Sequence, residues 1–392
     1  MMRIGRVVQP PRNPPPLCQL PTELLQVIIG NLEAGDLQRL LQVCRTVKPV
    51  AELCLYQHIV IPASNRCRIA QLLNTLRDRD DLAILVLSFE GYLIPSFRFP
   101  NRPQEGSRTT LSMEALQVEN FALMQMISDF QRLLAEVPNR MKNLRKVSMY
   151  DLEPRMSALN AKLLGFAASQ LRLTHLEIRH PHDGLHSEFH PAVSREILLF
   201  LRQQPLLQHL SLPKHHQSLN RQQLLPSDIL SLKSLDGVAS DIMKIVPGRP
   251  VTSIDVCETV NEPTTELWAG LHTSIQPITR LTLCINRSDQ LDGNLKSMVE
   301  HLTQLESLTL IGVRGDEDYR VTSANVRLFS SLRGLTVDLI YRSGFPKLDV
   351  WDGLHASCPN LERVSIIRKR AYYQSNVLNT NTDTLHSGLQ RR

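Results

Sequence analysis

The densest run of chemically active side chains in the sequence is the segment HPHDGLHSEFHP. It holds four histidines and one aspartate, at His180, His182, Asp183, His186 and His190. Imidazole and carboxylate are ordinary zinc ligands, so a zinc site, and an enzyme that uses it, is one hypothesis. Two prolines and a glycine place the run in a loop, where solvent-exposed histidines are common. We therefore expect no metal and no cofactor, and stoichiometric zinc in the purified protein would contradict this expectation.

Other signatures of catalysis are missing from the sequence. It contains no G-x-x-x-x-G-K-[ST] loop, no G-x-G-x-x-G, no H-E-x-x-H and no G-x-S-x-G. The seven cysteines include no C-x-x-C pair and are interpreted as free thiols. Basic runs at 214–216 and 368–370 could meet phosphate or an acidic peptide, but we interpret them as solvent-exposed faces. We predict that the chain is not an enzyme.

Length and composition indicate a folded protein with a large core. The 392 residues are 42% hydrophobic and 21% charged, and the net charge of +6 is modest for a nucleic-acid binder. No run of about 18 apolar residues is present, and the amino-terminal residues lack the apolar segment of a secretory signal. We expect a soluble protein of the cytoplasm, the nucleus or both, which binds neither nucleic acid nor membrane.

A short apolar pattern recurs along most of the chain. An apolar residue, two others, an apolar residue, one other and an apolar residue form each copy, as in Leu305, Leu308 and Leu310. Clear copies begin at 82, 144, 173, 207, 251, 278, 305, 332 and 361, and the last five are 27 to 29 residues apart. This is the leucine-rich-repeat period, in which each repeat supplies a short strand and a helix. Amphipathic helical segments separate several copies.

These repeats predict an α/β fold. We expect a leucine-rich-repeat solenoid over 63–370, with short parallel strands, helices on the convex side and an inserted loop near 92–112. Residues 1–16 are rich in proline and arginine and predict a disordered tail, and the polar residues 371–392 predict a flexible one.

Residues 17–62 have a different pattern, that of a small helical module. Leu24, Leu25, Ile28 and Leu32 follow helical spacing, and Pro21 suits a first helical turn. A second set with the same spacing runs from Leu37 to Cys44, and Pro49 can open a third helix. The sequence therefore predicts three short helices ahead of the repeats.

The ordered string L-P-x-E-L-L-x-x-I-I-x-x-L at 20–32, followed by D-L at 36–37 and V-C-R at 43–45, resembles the F-box. F-box proteins with leucine-rich repeats are substrate receptors of cullin-RING ubiquitin ligases. The resemblance implies that the module binds a Skp-type adaptor, and through it a cullin, while the repeats bind a protein target. Carried over by position, the adaptor-binding residues are Leu20, Pro21, Leu24, Ile28, Leu32, Leu37, Leu40, Val43 and Cys44. Many F-boxes have a tryptophan after V-C-[KR], whereas this chain has Thr46, Val47 and Lys48, so Val47 is the smaller apolar anchor.

The target-binding surface follows from strand alternation. Residues between the buried positions of each repeat strand face the opposite side of the sheet, which is polar and rich in hydroxyl groups. The residues that we expect to bind a target are Ser148, His175, Glu177, Arg179, Ser211, Arg280, Thr282, Thr309, Thr336 and Arg363. Small hydroxyl side chains also suit an unoccupied strand surface, so this role stays open.

A second interpretation keeps the repeats and changes the role of the module. The chain would be a protein-interaction scaffold without a link to ubiquitin, and the helices would only cap the open end of the solenoid. The two interpretations differ in whether the module presents apolar side chains to solvent.

Overall fold

A computed structural model describes residues 16–43, 45–61, 69–91, 132–133, 136–137, 139–150, 171–179, 191–212, 224–259, 265–285, 291–313, 322, 324–341, 358, 360–374 and 377–383. The chain divides into two compact units. Unit 1 comprises residues 1–90 and 111–144, and unit 2 comprises residues 91–110 and 145–392. No described helix has both the length and the apolar character that a membrane span requires.

Unit 1 begins with the helical module that the sequence predicts. A 3₁₀ turn, Pro16–Gln19, precedes α1 (Thr22–Gly30), α2 (Ala34–Val43) and α3 (Lys48–Gln57). Further along are β1 (His58–Ile61), α4 (Ile69–Asp78), α5 (Asp80–Ala83) and β2 (Ser88–Gly91), and β1 and β2 are neighbours in a sheet.

The three helices of the module close around a small apolar core. Both α1 and α2 contact α3. Proline at the start of α3 costs no hydrogen bond, because the first N–H groups of a helix have no intrahelical partner. The buried residues are Leu25, Ile29, Leu37, Val47, Val50 and Ala51.

Unit 1 of the structure contains more of the chain than the helical module that the sequence predicts at 17–62. We predicted that the repeats begin at residue 63, but unit 1 also contains α4, α5 and residues 111–144. The reason is packing, since α5 contacts both α3 and α4. The copy of the apolar pattern at Leu82, Leu85 and Leu87 begins in α5 and ends before β2, whereas in a regular copy the second and third apolar residues lie within the strand.

Unit 2 is an α/β repeat, as the period predicts. Its parallel strands run in chain order from β3 to β11, each paired with the next. They are β3 (Lys146–Tyr150), β4 (His175–Arg179), β5 (His209–Ser211), β6 (Ser234–Gly237), β7 (Ser253–Thr259), β8 (Arg280–Cys284), β9 (Ser307–Val313), β10 (Gly334–Tyr341) and β11 (Arg363–Gln374). Between strands lie α6 (Pro191–Arg202), α7 (Ala239–Ile245), α8 (Thr265–His272) and α9 (Leu291–His301).

The strands are held in register by their apolar residues and by a repeated corner. Leu281, Leu308 and Leu335 lie side by side and are buried, so one repeat covers the next. At the entrance to each strand, one backbone carbonyl accepts hydrogen bonds from two successive N–H groups of the following repeat; for example, the Thr279 carbonyl accepts from the amides of Glu306 and Ser307, both at 2.9 Å. The carbonyls that act in this way belong to Arg145, Thr174, Gln208, Lys233, Thr252, Thr279, Glu306 and Arg333.

Part of the segment that we predicted to be a flexible tail, 371–392, lies in a pair of strands. The last strand β11 continues to Gln374, and β12 (Val377–Asp383) pairs antiparallel with it. The sequence YYQSNVLNTNT contains aromatic and β-branched residues, which favour extended backbone. Residues 1–15, the loop near 92–112 and residues 384–392 lie outside the described part of the chain.

Candidate functional site

Helix α1 has apolar side chains on two sides, and only one of them is buried. Leu25 and Ile29 belong to the module core, with 4% and 1% of their surface exposed. Leu24, Val27 and Ile28 are 51%, 64% and 45% exposed. Their i, i+3, i+4 spacing places these three side chains on one face of the helix.

Two more exposed leucines flank this face in the sequence. Leu17 precedes α1 and Leu32 follows it, and both are 36% exposed. We call Leu17, Leu24, Val27, Ile28 and Leu32 the apolar patch. Single exposed leucines are ordinary on a protein surface, whereas a group of them within one short segment is typical of a binding site.

The structure divides the predicted adaptor-binding residues into three groups. Pro21, Leu24, Ile28 and Leu32 are exposed, whereas Leu37 is buried in the module core. Leu20 and Leu40 are partly buried and pack against that core. The side chain of Val43 and all of Cys44 lie outside the described part of the chain.

Four residues of the module differ from the sequence-based expectations, and one of them is Leu37, which was expected to bind the adaptor but is buried. Val27 and Leu17 belong to the apolar patch but were missed, although the spacing from Leu24 to Val27 is a helical one that could have found Val27. Val47 was expected as an anchor for the adaptor, but it is fully buried. It packs into the module core with Val50 and Ala51, so it is not available on the surface.

Charged side chains lie near the apolar patch in sequence. Glu23 is in the first turn of α1, and Glu33 is exposed just before α2. Asp36 in the first turn of α2 accepts a hydrogen bond from Nη1 of Arg39 at 3.1 Å. An apolar centre with a polar surround is the common composition of a protein-binding surface.

The predicted target-binding residues lie in adjacent rows on the sheet of unit 2. Strand register aligns the first row as Lys146, His175, His209, Ser234, Ser253, Arg280, Ser307, Gly334 and Arg363. The second row is Ser148, Glu177, Ser211, Asp236, Asp255, Thr282, Thr309, Thr336 and Ser365. We call these two rows the strand face. Arg179 lies in the next row, where its backbone pairs with Tyr150, and its side chain is outside the described part.

Most residues of the strand face are accessible to solvent, but the exposed fraction of the side chain differs from one residue to the next. His175, Arg280 and Arg363 are exposed, and most of the second row is partly exposed. Ser148 and Ser211 are buried, and the Oγ of Ser148 donates a hydrogen bond to Oε2 of Glu177 at 2.9 Å. Ser148 therefore supports Glu177 rather than offering its own hydroxyl group to a ligand.

Two imidazoles and two carboxylates meet on strands β4 to β6. The rings of His175 and His209 are tilted, with centroids 5.7 Å apart. Nε2 of His209 lies 3.5 Å from Oδ2 of Asp236. Partial burial lowers the pKa of His209, and the charge of Glu177 opposes this change. Burial also lowers the pKa of His175, with a contribution from His209. Both rings are thus largely neutral at neutral pH and can donate and accept hydrogen bonds.

The described residues contain no group of three or more His, Cys, Asp or Glu side chains that could hold a metal ion. The histidine-rich segment 180–190, which the sequence predicts to be a loop, and the basic run at 214–216 lie outside the described residues. The backbone of the basic run at 368–370 belongs to β11. The zinc hypothesis for 180–190 is therefore untested.

Comparison with known proteins assigns no family. No family model matches the chain, and no curated protein matches it. Among solved structures, a chain of the yeast complex of Rad7 and Elc1 is 11% identical, over 91% of this chain and 92% of that one, with a TM-score of 0.35.

Proposed function

We propose that this protein is the substrate-recognition subunit of a cullin-RING ubiquitin ligase. The helical module α1–α3 binds a Skp-type adaptor, which links it to a cullin, and the strand face binds the protein target. Transfer of ubiquitin is carried out by other subunits, so the chain has no catalytic residue of its own and works in the cytoplasm, the nucleus or both.

The observation that carries this proposal is the exposure of the apolar patch. The module core is complete without Leu24, Val27 and Ile28, because Leu25 and Ile29 already fill the interior side of α1. A helix whose only role is to cap a solenoid needs apolar residues on one side, and α1 has them on two. Burying the exposed part of these side chains against a partner is favourable, at roughly 25 cal/mol per Å² of apolar surface.

The F-box resemblance of 20–45 identifies the kind of partner, and the geometry refines its contact residues. Leu24, Ile28 and Leu32 are exposed and stay in the proposed interface, with Val27 and Leu17 added. Leu37 and Val47 support the interface from inside the core instead.

The experiment is capture of a purified Skp-type adaptor by the full-length chain and by two matched variants. Leu24→Asp with Ile28→Asp places two charges in the apolar patch. Leu230→Asp with Ile275→Asp makes the same changes at residues of unit 2 that are 55% and 68% exposed. All four positions are on the surface, so both variants should keep the circular dichroism spectrum and unfolding midpoint of the unmodified chain.

We expect the unmodified chain and the unit 2 variant to bind the adaptor equally. The patch variant should bind at least about 100-fold more weakly, because two charges at the centre of an apolar interface lose hydration without gaining a partner. Equal binding by both variants would place the interface elsewhere. If none of the three proteins captures the adaptor while a known F-box protein does, the scaffold interpretation replaces the proposal.

The strand face is proposed as the site that binds the protein target because of the side chains that it presents. It combines exposed cations at Arg280 and Arg363 with partly exposed hydroxyl groups at Thr282, Thr309 and Thr336. These groups lie in register on adjacent parallel strands, so they can contact an extended or folded partner at several points.

A further inference from the structure

The charged side chains of the strand face are divided between its two halves. On β3–β7 the first row holds one lysine, Lys146, and the second row holds three partly exposed carboxylates, at Glu177, Asp236 and Asp255. On β8–β11 the charged residues of the two rows are Arg280 and Arg363, both exposed, and neither row has a carboxylate there. We call the two rows on β8–β11 the arginine half.

The side chains between the two arginines are small. Ser307 and Gly334 separate Arg280 from Arg363 in the first row. The second row consists of partly exposed hydroxyl residues, Thr282, Thr309, Thr336 and Ser365. Neighbouring strands lie about 4.8 Å apart, so the backbones that carry the two arginines are about 14 Å apart. A polypeptide that crosses these strands can therefore approach the sheet between Arg280 and Arg363.

The carboxylates nearest in sequence lie outside the two rows. Asp338, two residues beyond Thr336, is 4% exposed. Glu306 and Glu362 are exposed directly before β9 and β11, and Oε1 of Glu362 lies 4.0 Å from Nη1 of Arg333. Among the described residues, neither Arg280 nor Arg363 has an ion-pair partner. Both guanidinium groups are therefore available to a partner.

The spacing of the arginines selects the kind of anion. A guanidinium group pairs with a carboxylate through two parallel hydrogen bonds. Phosphorylated segments are typically bound by clusters of arginines, because a phosphate group carries nearly two charges. Here each arginine supplies one charge, and the two are three strands apart. Singly charged carboxylates that are separated along a chain fit this arrangement best, and the threonine hydroxyl groups can donate further hydrogen bonds.

We infer that the arginine half binds an acidic, extended segment of the target protein, with aspartate or glutamate side chains paired to Arg280 and Arg363. The inference rests on the proposed function, since it takes the strand face as the site that binds the target. The segment crosses β8 to β11. Glu177, Asp236 and Asp255 repel an acidic segment, so they confine it to this half of the strand face.

The test is fluorescence anisotropy with the full-length chain and dye-labelled synthetic peptides. The first peptide repeats the unit Glu-Ser-Gly-Ser four times and ends in glutamate. Its glutamates are four residues apart, which is about 13 Å in an extended chain. Two further peptides carry glutamine or lysine at every glutamate position. We expect the glutamate peptide to bind at least about 10-fold more tightly than either, and to bind more weakly as salt is added.

Two double variants separate a specific contact from general attraction. Arg280→Gln with Arg363→Gln should weaken binding of the glutamate peptide at least about 10-fold, since both ion pairs are lost. Arg172→Gln with Arg327→Gln is the matched control. It removes the same charge from exposed positions of unit 2 outside the strand face, and binding should change less than about 2-fold.

A substitution between the arginines gives an independent test. A Cβ at Gly334 would lie 3.7 Å from Oγ of Ser307, which is an ordinary contact, so a side chain fits there. Gly334→Glu places a carboxylate between the two arginines and should weaken binding of the glutamate peptide about 10-fold relative to Gly334→Gln. The two proteins differ only in charge at one position.

Equal binding of the glutamate and glutamine peptides would overturn the inference, and so would equal losses in the two double variants. Tighter binding of the lysine peptide would assign a basic target to the carboxylates instead. Binding of a phosphoserine peptide of the same spacing without binding of the glutamate peptide would overturn the assignment to carboxylates. Adaptor capture is measured separately: a chain that captures the adaptor but not the glutamate peptide contradicts this inference alone, and the reverse result contradicts the ligase role alone.

Discussion

Arg249 is a buried arginine of unit 2, and its replacement should destabilise the repeats. The residue is 1% exposed and follows α7. Its Nε donates a hydrogen bond to the carbonyl oxygen of Asp228 at 2.8 Å, and Nη1 and Nη2 donate to the carbonyl oxygens of Ile245 and Leu225. One side chain therefore joins the turn before β6 to the end of α7. Burial lowers the pKa of Arg249, and the charge of Asp228 opposes this change.

The loss in the free energy of unfolding follows from the backbone carbonyl groups that no longer receive a hydrogen bond from Arg249. Arg249→Met keeps most of the buried aliphatic stem but removes every donor, so four carbonyls lose a hydrogen bond to a charged group, because Nη1 also donates to the carbonyl oxygen of Pro247 at 3.4 Å. The Leu225 carbonyl keeps the hydrogen bond from the amide of Asp228. Each buried acceptor without a partner costs about 1–3 kcal/mol. Because some water can enter the loosened turn, we expect a loss of about 3–5 kcal/mol in the free energy of unfolding. For a unit of this size the midpoint of thermal unfolding should fall by roughly 6–20 °C.

The assay is urea unfolding followed by Trp268 fluorescence, with Trp351→Phe in every protein so that Trp268 is the single tryptophan that gives the signal. Arg202→Met is the control, since Arg202 approaches the same Asp228 at 3.6 Å but its side chain is 35% exposed. A partly exposed ion pair of this kind contributes about 0–1 kcal/mol. The reasoning is refuted if Arg249→Met is no more destabilising than Arg202→Met.

Two further predictions use the same unfolding assay. Gly312 has φ +87°, and a Cβ there would lie 2.6 Å from the carbonyl oxygen of Ile285. Gly312→Ala should therefore lower the free energy of unfolding by at least about 2 kcal/mol. Gly293 has open space around it, so Gly293→Ala should leave the free energy of unfolding unchanged or raise it by up to about 1 kcal/mol. Equal effects of the two changes would contradict the strain at Gly312. The folded-state pKa of His175 and that of His209 lie below their ordinary value of 6.5, so the unfolded chain binds more protons and stability should fall as the pH drops through 6.5 towards the folded pKa values. Replacing both histidines with glutamine should flatten the stability profile in that window, and an unchanged profile would show that other groups produce it.

Much of the repeat architecture could be predicted from the sequence because its signal is local and periodic. The pattern at Leu305, Leu308 and Leu310 recurs at nearly constant spacing, and each copy has to be buried by its neighbours. Successive repeats of equal length then align by necessity, so the row that contains Thr282, Thr309 and Thr336 follows from the period. The strand face was predicted in this way.

The boundaries of the two units were not predictable in the same way. They depend on the contacts of α5 with α3 and α4, which join segments through packing rather than through a repeated pattern. The strand pair at the carboxyl-terminal end was missed because most of its residues are polar and do not follow the repeat pattern, whereas antiparallel pairing satisfies backbone groups whatever the side chains are.

The module shows most clearly what the sequence alone determined and what the tertiary structure decided. The sequence determined that 20–57 forms short amphipathic helices, since helical spacing and proline positions act within one turn. It did not determine which apolar residues are buried, because α1 carries apolar side chains around most of its circumference. That was decided by packing against α2 and α3, which enclose Leu25, Ile29 and Val47 and leave Leu24, Val27 and Ile28 exposed. The small core has room for one side of α1 only.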